Sequence, residues 1–296
     1  MSIRPLASVE YGSIDRGGRQ LRWKRAGSGP PVVLEIGAGA GGVDYWGPLE
    51  TQLATTNTVI TYDRAGMGGS DRIPGGPTLS SWTSDLRAVV DAVAGGPATL
   101  VGWSLGGVIA LGFALEHPAL TAGAVFVDPS EDRHGPLQIA IYKYLHPLIM
   151  PAVTRLHSYR TRNETGIAKA RRRAIRQVDK IAPALSDEEK ARVVDYLADG
   201  TPYRAMAYEV PALTGAVADL NRLRDRTGTP DLPVVVLSAT EGPLRKSISA
   251  SHQRLAATFP RGKFTSAEGC THMIPLERPD LIAAAVRNLA RAAGGD

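Results

Sequence analysis

Ser104 stands in the stretch Val101-Gly102-Trp103-Ser104-Leu105-Gly106-Gly107, and the residue types at this spacing point to a nucleophile. A short apolar run, Ala98 to Gly102, leads in. A long apolar stretch, Leu105 to Glu116, leads out and is stopped by His117-Pro118. Gly-x-Ser-x-Gly between a strand and a helix forms a tight, strained turn, a nucleophile elbow, in which small residues two positions to either side let strand and helix pack closely. The turn lifts the hydroxyl clear of the backbone and aims the Leu105 N–H at the atom under attack. Gly-x-Ser-x-Gly alone is common, but the strand–turn–helix setting and the second glycine, Gly107, make it specific. The plain alternative is a glycine-rich connection with an incidental serine.

A serine hydroxyl is a poor nucleophile near neutral pH; it needs a base, and the base needs orienting. His272 is the best placed of the six histidines, in the turn Gly269-Cys270-Thr271-His272 just past the last expected strand. His117, His134, His146, His157 and His252 fall at helix ends or in the helical middle of the chain, where surface or packing roles suffice. Two carboxylates compete for the orienting role. Asp128 ends the strand after the elbow helix, and Glu241 follows the next strand of the sheet; both obey the chain order serine, acid, histidine. Asp128 is preferred because a shorter side chain at a strand end is better fixed, with Glu241 as the alternative. For the oxyanion hole, Leu105 supplies one N–H, and Ala38, in the loop after Ile36-Gly37, supplies the second. Loss of one such donor costs ~10²–10³ in rate.

These residues need a frame, and the hydrophobic pattern supplies one. Val9 to Ile14 and Gln20 to Arg25 read as a hairpin around Arg16-Gly17-Gly18. Strands are expected at Val32–Ile36, Thr58–Tyr62, Ala98–Gly102, Gly123–Val127, Leu232–Ser238 and Lys263–Ser266. Helices are expected at Tyr45–Ala54, Ser80–Ala94, Leu105–Glu116, Ser249–Phe259 and Pro279–Ala293. Strands alternating with helices argue for a largely parallel sheet covered on both faces. The rhythm stops between Ser130 and Pro230, where only helices are expected. One opens on the capping box Ser186-Asp187-Glu188-Glu189, and Pro211 kinks or splits another. The chain therefore reads as one α/β core, residues 1–129 and 231–296, interrupted by a helical insertion over 130–230.

The formal charge of +5 is unevenly placed. Nine Lys and Arg lie between Arg155 and Lys180 against Glu164 and Asp179, a local surplus that leaves the remainder near neutral. Such a run is usually a solvated helix face; an acidic substrate, a carrier protein or a membrane surface is the sharper reading. With no interleaved aromatics, nucleic acid is not an expected partner. The single cysteine, Cys270, allows neither a disulfide framework nor a thiolate metal cage, and no metal or cofactor is expected. No apolar leader or membrane span is evident, which makes the cytoplasm the expected location.

Gly37-Ala38-Gly39-Ala40-Gly41-Gly42 follows a strand, with Asp63 about twenty residues on, the outline of a dinucleotide-binding turn. Val33 to Gly39 also resembles the first motif of S-adenosylmethionine-dependent methyltransferases. Against both stand the glycine-rich continuation of Asp63 through Ser70, the elbow, and the His272 turn, which neither reading explains.

Taken together, the chain resembles the α/β-hydrolase family along almost its whole length. The landmarks are Ile36-Gly37-Ala38, Tyr62 to Ser70, the elbow at Ser104, Val127-Asp128-Pro129 and the His272 turn. The resemblance implies an eight-stranded, mostly parallel sheet with an α-helical cap inserted after the sixth strand, and an acid drawn from either strand end. One departure is plain: family members often carry His-Gly at the oxyanion loop, where this chain has Ile36 preceded by Glu35, so the loop must be supported differently. The implied function is a cofactor-free serine hydrolase acting on an ester, lactone or thioester of a small, apolar acyl substrate. Acyl transfer, carbon–carbon bond hydrolysis and lyase chemistry are alternatives on the same fold, and a non-catalytic binding protein is another. Trp103 and, in the insertion, Tyr142, Leu145 and Ile149 are candidate substrate contacts, together with Ile141, Tyr144, Leu148 and Met150, or else they pack the insertion onto the core. Oligomeric state is not legible.

Overall fold

A computed structural model of the chain describes residues 9–40, 42–43, 45–130, 144–182 and 185–294. Eight strands form one sheet: β1 Val9–Asp15, β2 Gln20–Ala26, β3 Pro31–Glu35, β4 Thr58–Tyr62, β5 Ala98–Trp103, β6 Thr121–Val127, β7 Pro233–Ala239 and β8 Arg261–Ala267. Their order across the sheet is β1-β2-β4-β3-β5-β6-β7-β8. The hairpin β1–β2 is antiparallel and joins β4 antiparallel; every pairing from β4 to β8 is parallel. Strands β3, β6 and β7 are rich in valine, and the parallel strands β3 to β7 are largely buried, as a sheet covered on both faces requires, whereas the edge strand β8 is half-exposed. Ends that carry chemistry therefore collect at one rim, the carboxyl ends of β3, β5, β6, β7 and β8.

One apolar layer gathers α2 Leu79–Val89 and α3 Leu105–Glu116 against one face of the sheet; the other gathers α1 Gly47–Leu53 and the C-terminal helix against the opposite face. The expected helix over Tyr45–Ala54 is shorter than the pattern suggests, and a π-helical turn, Val90–Ala94, completes α2. Between β6 and β7 lie α4 His146–Arg160, α5 Glu164–Ile181, α6 Asp187–Ala198 and α7 Thr201–Thr227. After β7 come α8 Arg245–Thr258 and, past β8, α9 Pro279–Gly294. The Ser186 capping box opens α6 as expected, with Ser186 N–H donating to Glu189 at 2.8 Å.

Pro211 does not split its helix. Helix α7 runs unbroken through it. An internal proline removes one backbone bond and costs ~3 kcal/mol, but Leu213, Ala216, Val217, Leu220 and Leu223 are buried against α2 and α3. At about 25 cal/mol per Å² of apolar surface, five such burials outweigh the lost bond. The second half of α7 is thus part of the main core, which ties the insertion to the sheet. The basic run lies largely on α5, whose Lys169, Arg172, Arg173, Arg176 and Lys180 are exposed, while Arg171 pairs with Asp195 at 2.8 Å. Among the described residues, no helix is long and apolar enough to cross a membrane.

The elbow shows why its glycines are needed. Ser104 sits at φ 56°, ψ −117°, a conformation that side chains rarely adopt. A Cβ on Gly102 would lie 2.5 Å from the Gly106 carbonyl oxygen, and one on Gly106 only 2.1 Å from that of Glu35. Gly106→Ala must therefore push α3 away from β3. The expected result is a loss of about 3 kcal/mol, read as a lowered urea midpoint, with the elbow displaced even where the protein still folds.

Candidate active site

Strand β5 delivers Ser104, β6 delivers Asp128, and the turn after β8 delivers His272. Ser104 continues the sheet with an N–H bond to the Val127 carbonyl at 3.1 Å, and its own carbonyl accepts from Gly107 N–H at 3.0 Å. Asp128 turns sharply at φ 44°, a region that aspartate tolerates better than most residues. Its N–H stays in the ladder, bonded to Leu237 at 2.7 Å, while its carboxylate swings under the histidine.

That carboxylate is buried and fully engaged. Oδ2 accepts from His272 Nδ1 at 2.5 Å; Oδ1 accepts from the Ala239 N–H at 3.1 Å; Arg245 Nη1 reaches both oxygens, at 2.9 and 2.8 Å. Burial by itself would raise its pKa, but the hydrogen bonds and positive charge of His272 and Arg245 outweigh it and bring Asp128 down to about 2. An ionised carboxylate only accepts, so Nδ1 of His272 must be the donor. In the neutral ring Nε2 is then left with its lone pair, ready to take a proton.

The His272 turn is clamped on both sides. Glu277 accepts from the Thr271 N–H at 2.7 Å and from its hydroxyl at 2.6 Å, and Trp103 Nε1 donates to the His272 carbonyl at 2.8 Å. The Cys270 carbonyl accepts the N–H groups of Thr240 and Glu241, at 3.1 and 2.9 Å, tying the turn to the end of β7. Cys270 itself is buried, and burial pushes its thiol pKa up. Among the described residues Glu241 contributes only this backbone bond, and its side chain is exposed. Of the two competing carboxylates, the structure joins Asp128 to His272.

The Ser104 hydroxyl is paired with the hydroxyl of Ser130 at 3.2 Å, so a Ser104–His272 hydrogen bond is not the arrangement seen. Such bonds are often long without substrate and tighten when it binds. Trp103, a candidate substrate contact, is buried between Tyr45, stacked at 5.8 Å, and the His272 ring at 5.5 Å; it supports the histidine turn. Leu148 and Ile149 are exposed on α4, Tyr144 and Leu145 are exposed just before it, and Met150 turns inward. Tyr142 and Ile141 lie outside the described residues. A cavity of about 480 Å³ opens beside Tyr45, walled by Met67, Val193, Tyr196 and Ala205 and by charged residues that include Asp63 and Arg204; neither Ser104 nor His272 lines it. Tyr45 thus links this space to Trp103 and the histidine.

The loop after β3 carries features that no local pattern announces. Arg64, 1% exposed, pairs with Glu35 at 2.7 Å and with Glu209 of α7 at 2.8 Å. It also donates to the carbonyls of Ile36 and, at 3.0 Å, Gly37. Burial raises the Glu35 carboxyl pKa against the pull of Arg64, and the Tyr62 hydroxyl donates to it. This is the different support that Ile36 in place of a histidine demands. Asp63, read as a possible ribose ligand, points inward instead: it accepts from the N–H groups of Val43 and Gly69, each at 2.8 Å. The Ala38 and Leu105 N–H groups make no hydrogen bond among the described residues. Sequence reasoning also missed Arg245 and His252. The latter is buried behind Asp128 at 3.7 Å, bonded to the Ser238 hydroxyl and the Pro129 carbonyl.

A family model described as "Alpha/beta hydrolase family" matches residues 37–285. A RutD protein of Azorhizobium caulinodans, provisionally named a carbamate hydrolase, is 35% identical over 102 residues, 34% of this chain and 38% of its own length. The match thus spans little more than a third of that curated relative. Among solved structures, a thermophilic esterase from Thermogutta terrifontis aligns over 97% of this chain and 100% of its own, with TM-score 0.70 and 20% identity. The epoxide hydrolase CorEH aligns over 95% and 98%, with TM-score 0.62 and 18% identity. At these identities the likeness is one of fold.

Proposed function

This chain belongs to the alpha/beta hydrolase family, and on that premise we propose that it is a serine hydrolase cleaving an ester, lactone or thioester through an acyl-enzyme on Ser104. The observation that carries the reading is the 2.5 Å bond from His272 to the buried Asp128, at the rim where the elbow presents the serine. In the reaction, Oγ attacks the substrate carbonyl as its proton passes to His272 Nε2. Asp128 steadies the resulting imidazolium. The N–H groups of Leu105 and Ala38 receive the developing oxyanion. The tetrahedral intermediate collapses, the leaving group takes the proton from Nε2, and the acyl group remains on Ser104. Water, deprotonated by the same nitrogen, then releases the acid and restores the enzyme.

Residues 130–230 act as the cap in this reading, and the cavity beside Tyr45 holds the substrate's non-reacting, partly apolar portion. The RutD relative brings carbamates into the set of acyl groups to be tried.

The test is covalent. A fluorophosphonate should label wild-type protein on Ser104, identified by peptide mass, and a panel of p-nitrophenyl esters with acyl chains of increasing length should be turned over. An added alcohol that is acylated in preference to water would reassign the reaction to acyl transfer. Absence of both labelling and turnover would end the serine-hydrolase reading.

A further inference from the structure

Three consecutive peptide groups around Ala38 are each held by a side chain from elsewhere. The Gly37–Ala38 peptide is held through its carbonyl, which accepts from Arg64 Nη2 at 3.0 Å. The Ala38–Gly39 peptide is held through its N–H, which donates to Glu209 Oε2 at 3.0 Å. The Gly39–Ala40 peptide is held through its carbonyl, which accepts from the Tyr196 hydroxyl at 2.6 Å. Glu209 and Tyr196 both belong to the helical insertion, on α7 and α6.

A trans peptide is planar, with its C=O and N–H pointing in opposite directions, and no peptide described here is cis. Fixing the Gly37 carbonyl on Arg64 therefore fixes the direction of the Ala38 N–H. Arg64 is itself set by Glu35 on β3 and by Glu209. Close packing adds to the grip: Gly39 has φ +63°, and a Cβ there would lie 2.4 Å from Met206 Cγ on α7. The insertion and the loop thus meet with no slack.

Resting on the serine-hydrolase reading above, we propose that Arg64, Glu209 and Tyr196 are positioning residues that aim the Ala38 N–H at the oxyanion. The insertion is then part of the catalytic apparatus as well as a cover over it.

The informative variant is Tyr196→Phe, because a half-buried hydroxyl is removed without leaving a buried charge unpaired. A misaimed donor weakens binding only where negative charge has developed, so kcat and kcat/KM should fall together. For p-nitrophenyl acetate, which lacks the longer acyl chain assigned to the cavity that Tyr196 helps to wall, we expect kcat about tenfold lower, with KM unchanged. Inhibition by phenylboronic acid, whose tetrahedral adduct places an oxygen at the same donor, should weaken by a similar factor. Tyr208→Phe is the control: it removes hydroxyl bonds from α7 to the backbone of Ile73, at 2.9 and 3.3 Å, and should alter neither quantity. Wild-type kcat in Tyr196→Phe, a raised KM at constant kcat, or an equal loss in Tyr208→Phe would each overturn the proposal. Failure of wild-type protein to be labelled on Ser104 would instead remove the hydrolase reading, and this inference with it.

Discussion

Ser104→Ala is expected to lower kcat for p-nitrophenyl esters by roughly 10⁵–10⁶-fold, the loss seen when a triad nucleophile is removed. The change deletes one oxygen and nothing that holds the elbow together. The backbone bonds of residue 104 to Val127 and Gly107 remain, and the glycines at 102 and 106 still permit the positive φ. Thermal unfolding should therefore be close to that of wild type, as should binding of an uncleaved substrate analogue. Only the hydroxyl contact with Ser130 is lost, and a surviving Ser130 cannot replace Ser104, since it lacks the elbow's geometry. Turnover within tenfold of wild type would reject Ser104 as the nucleophile.

Asp128→Asn should cost roughly 10⁴-fold in kcat, and the reason is the direction of one hydrogen bond. The asparagine oxygen can still accept from the Ala239 N–H, which turns its NH₂ toward His272 Nδ1. Two donors cannot face each other, so the imidazole adopts the other tautomer and Nε2 carries a hydrogen it should be free to receive. Arg245 loses its counter-charge in the same step, so some loss of stability should accompany the loss of rate. Glu241→Gln, at an exposed side chain, should leave kcat within about twofold. The reverse ranking would move the orienting role to Glu241, and equal losses would take it from Asp128 alone.

The elbow was legible because its steric demand falls at a fixed spacing about the serine: a Cβ at position 102 would meet the Gly106 carbonyl oxygen, and one at 106 that of Glu35 on β3, so both positions take glycine. The His272 turn was legible from its place after the last strand. Choosing between Asp128 and Glu241 was harder for a structural reason. Strands β6 and β7 are neighbours, so their ends lie side by side, and chain order is the same for both. What separates them is the turn at Asp128 and the cation at Arg245, neither of which has a sequence pattern. The clamp on the oxyanion loop was hidden for a further reason. Arg64 and Glu209 are 145 positions apart, and a buried glutamate in a long helix looks like any solvated one until its partner is known. Pro211 misled in the opposite sense, since a local rule was overridden by burial. The apolar residues before and at the start of α4 read as pocket or packing, yet Leu148 is 75% exposed, because the inward face of that helix is carried by Met150 with the half-buried Val153, Thr154 and His157.

The chain's single thiol supplies its own clock. Cys270 is buried two positions before the imidazole, beneath a carbonyl that holds the end of β7. A maleimide can reach it only when that corner of the molecule loosens, so its alkylation rate counts those openings directly. Occupancy of the cavity beside Tyr45, which stacks on the Trp103 that holds the His272 carbonyl, should slow the count, which turns an unmodified protein into a ligand sensor without a label being engineered in.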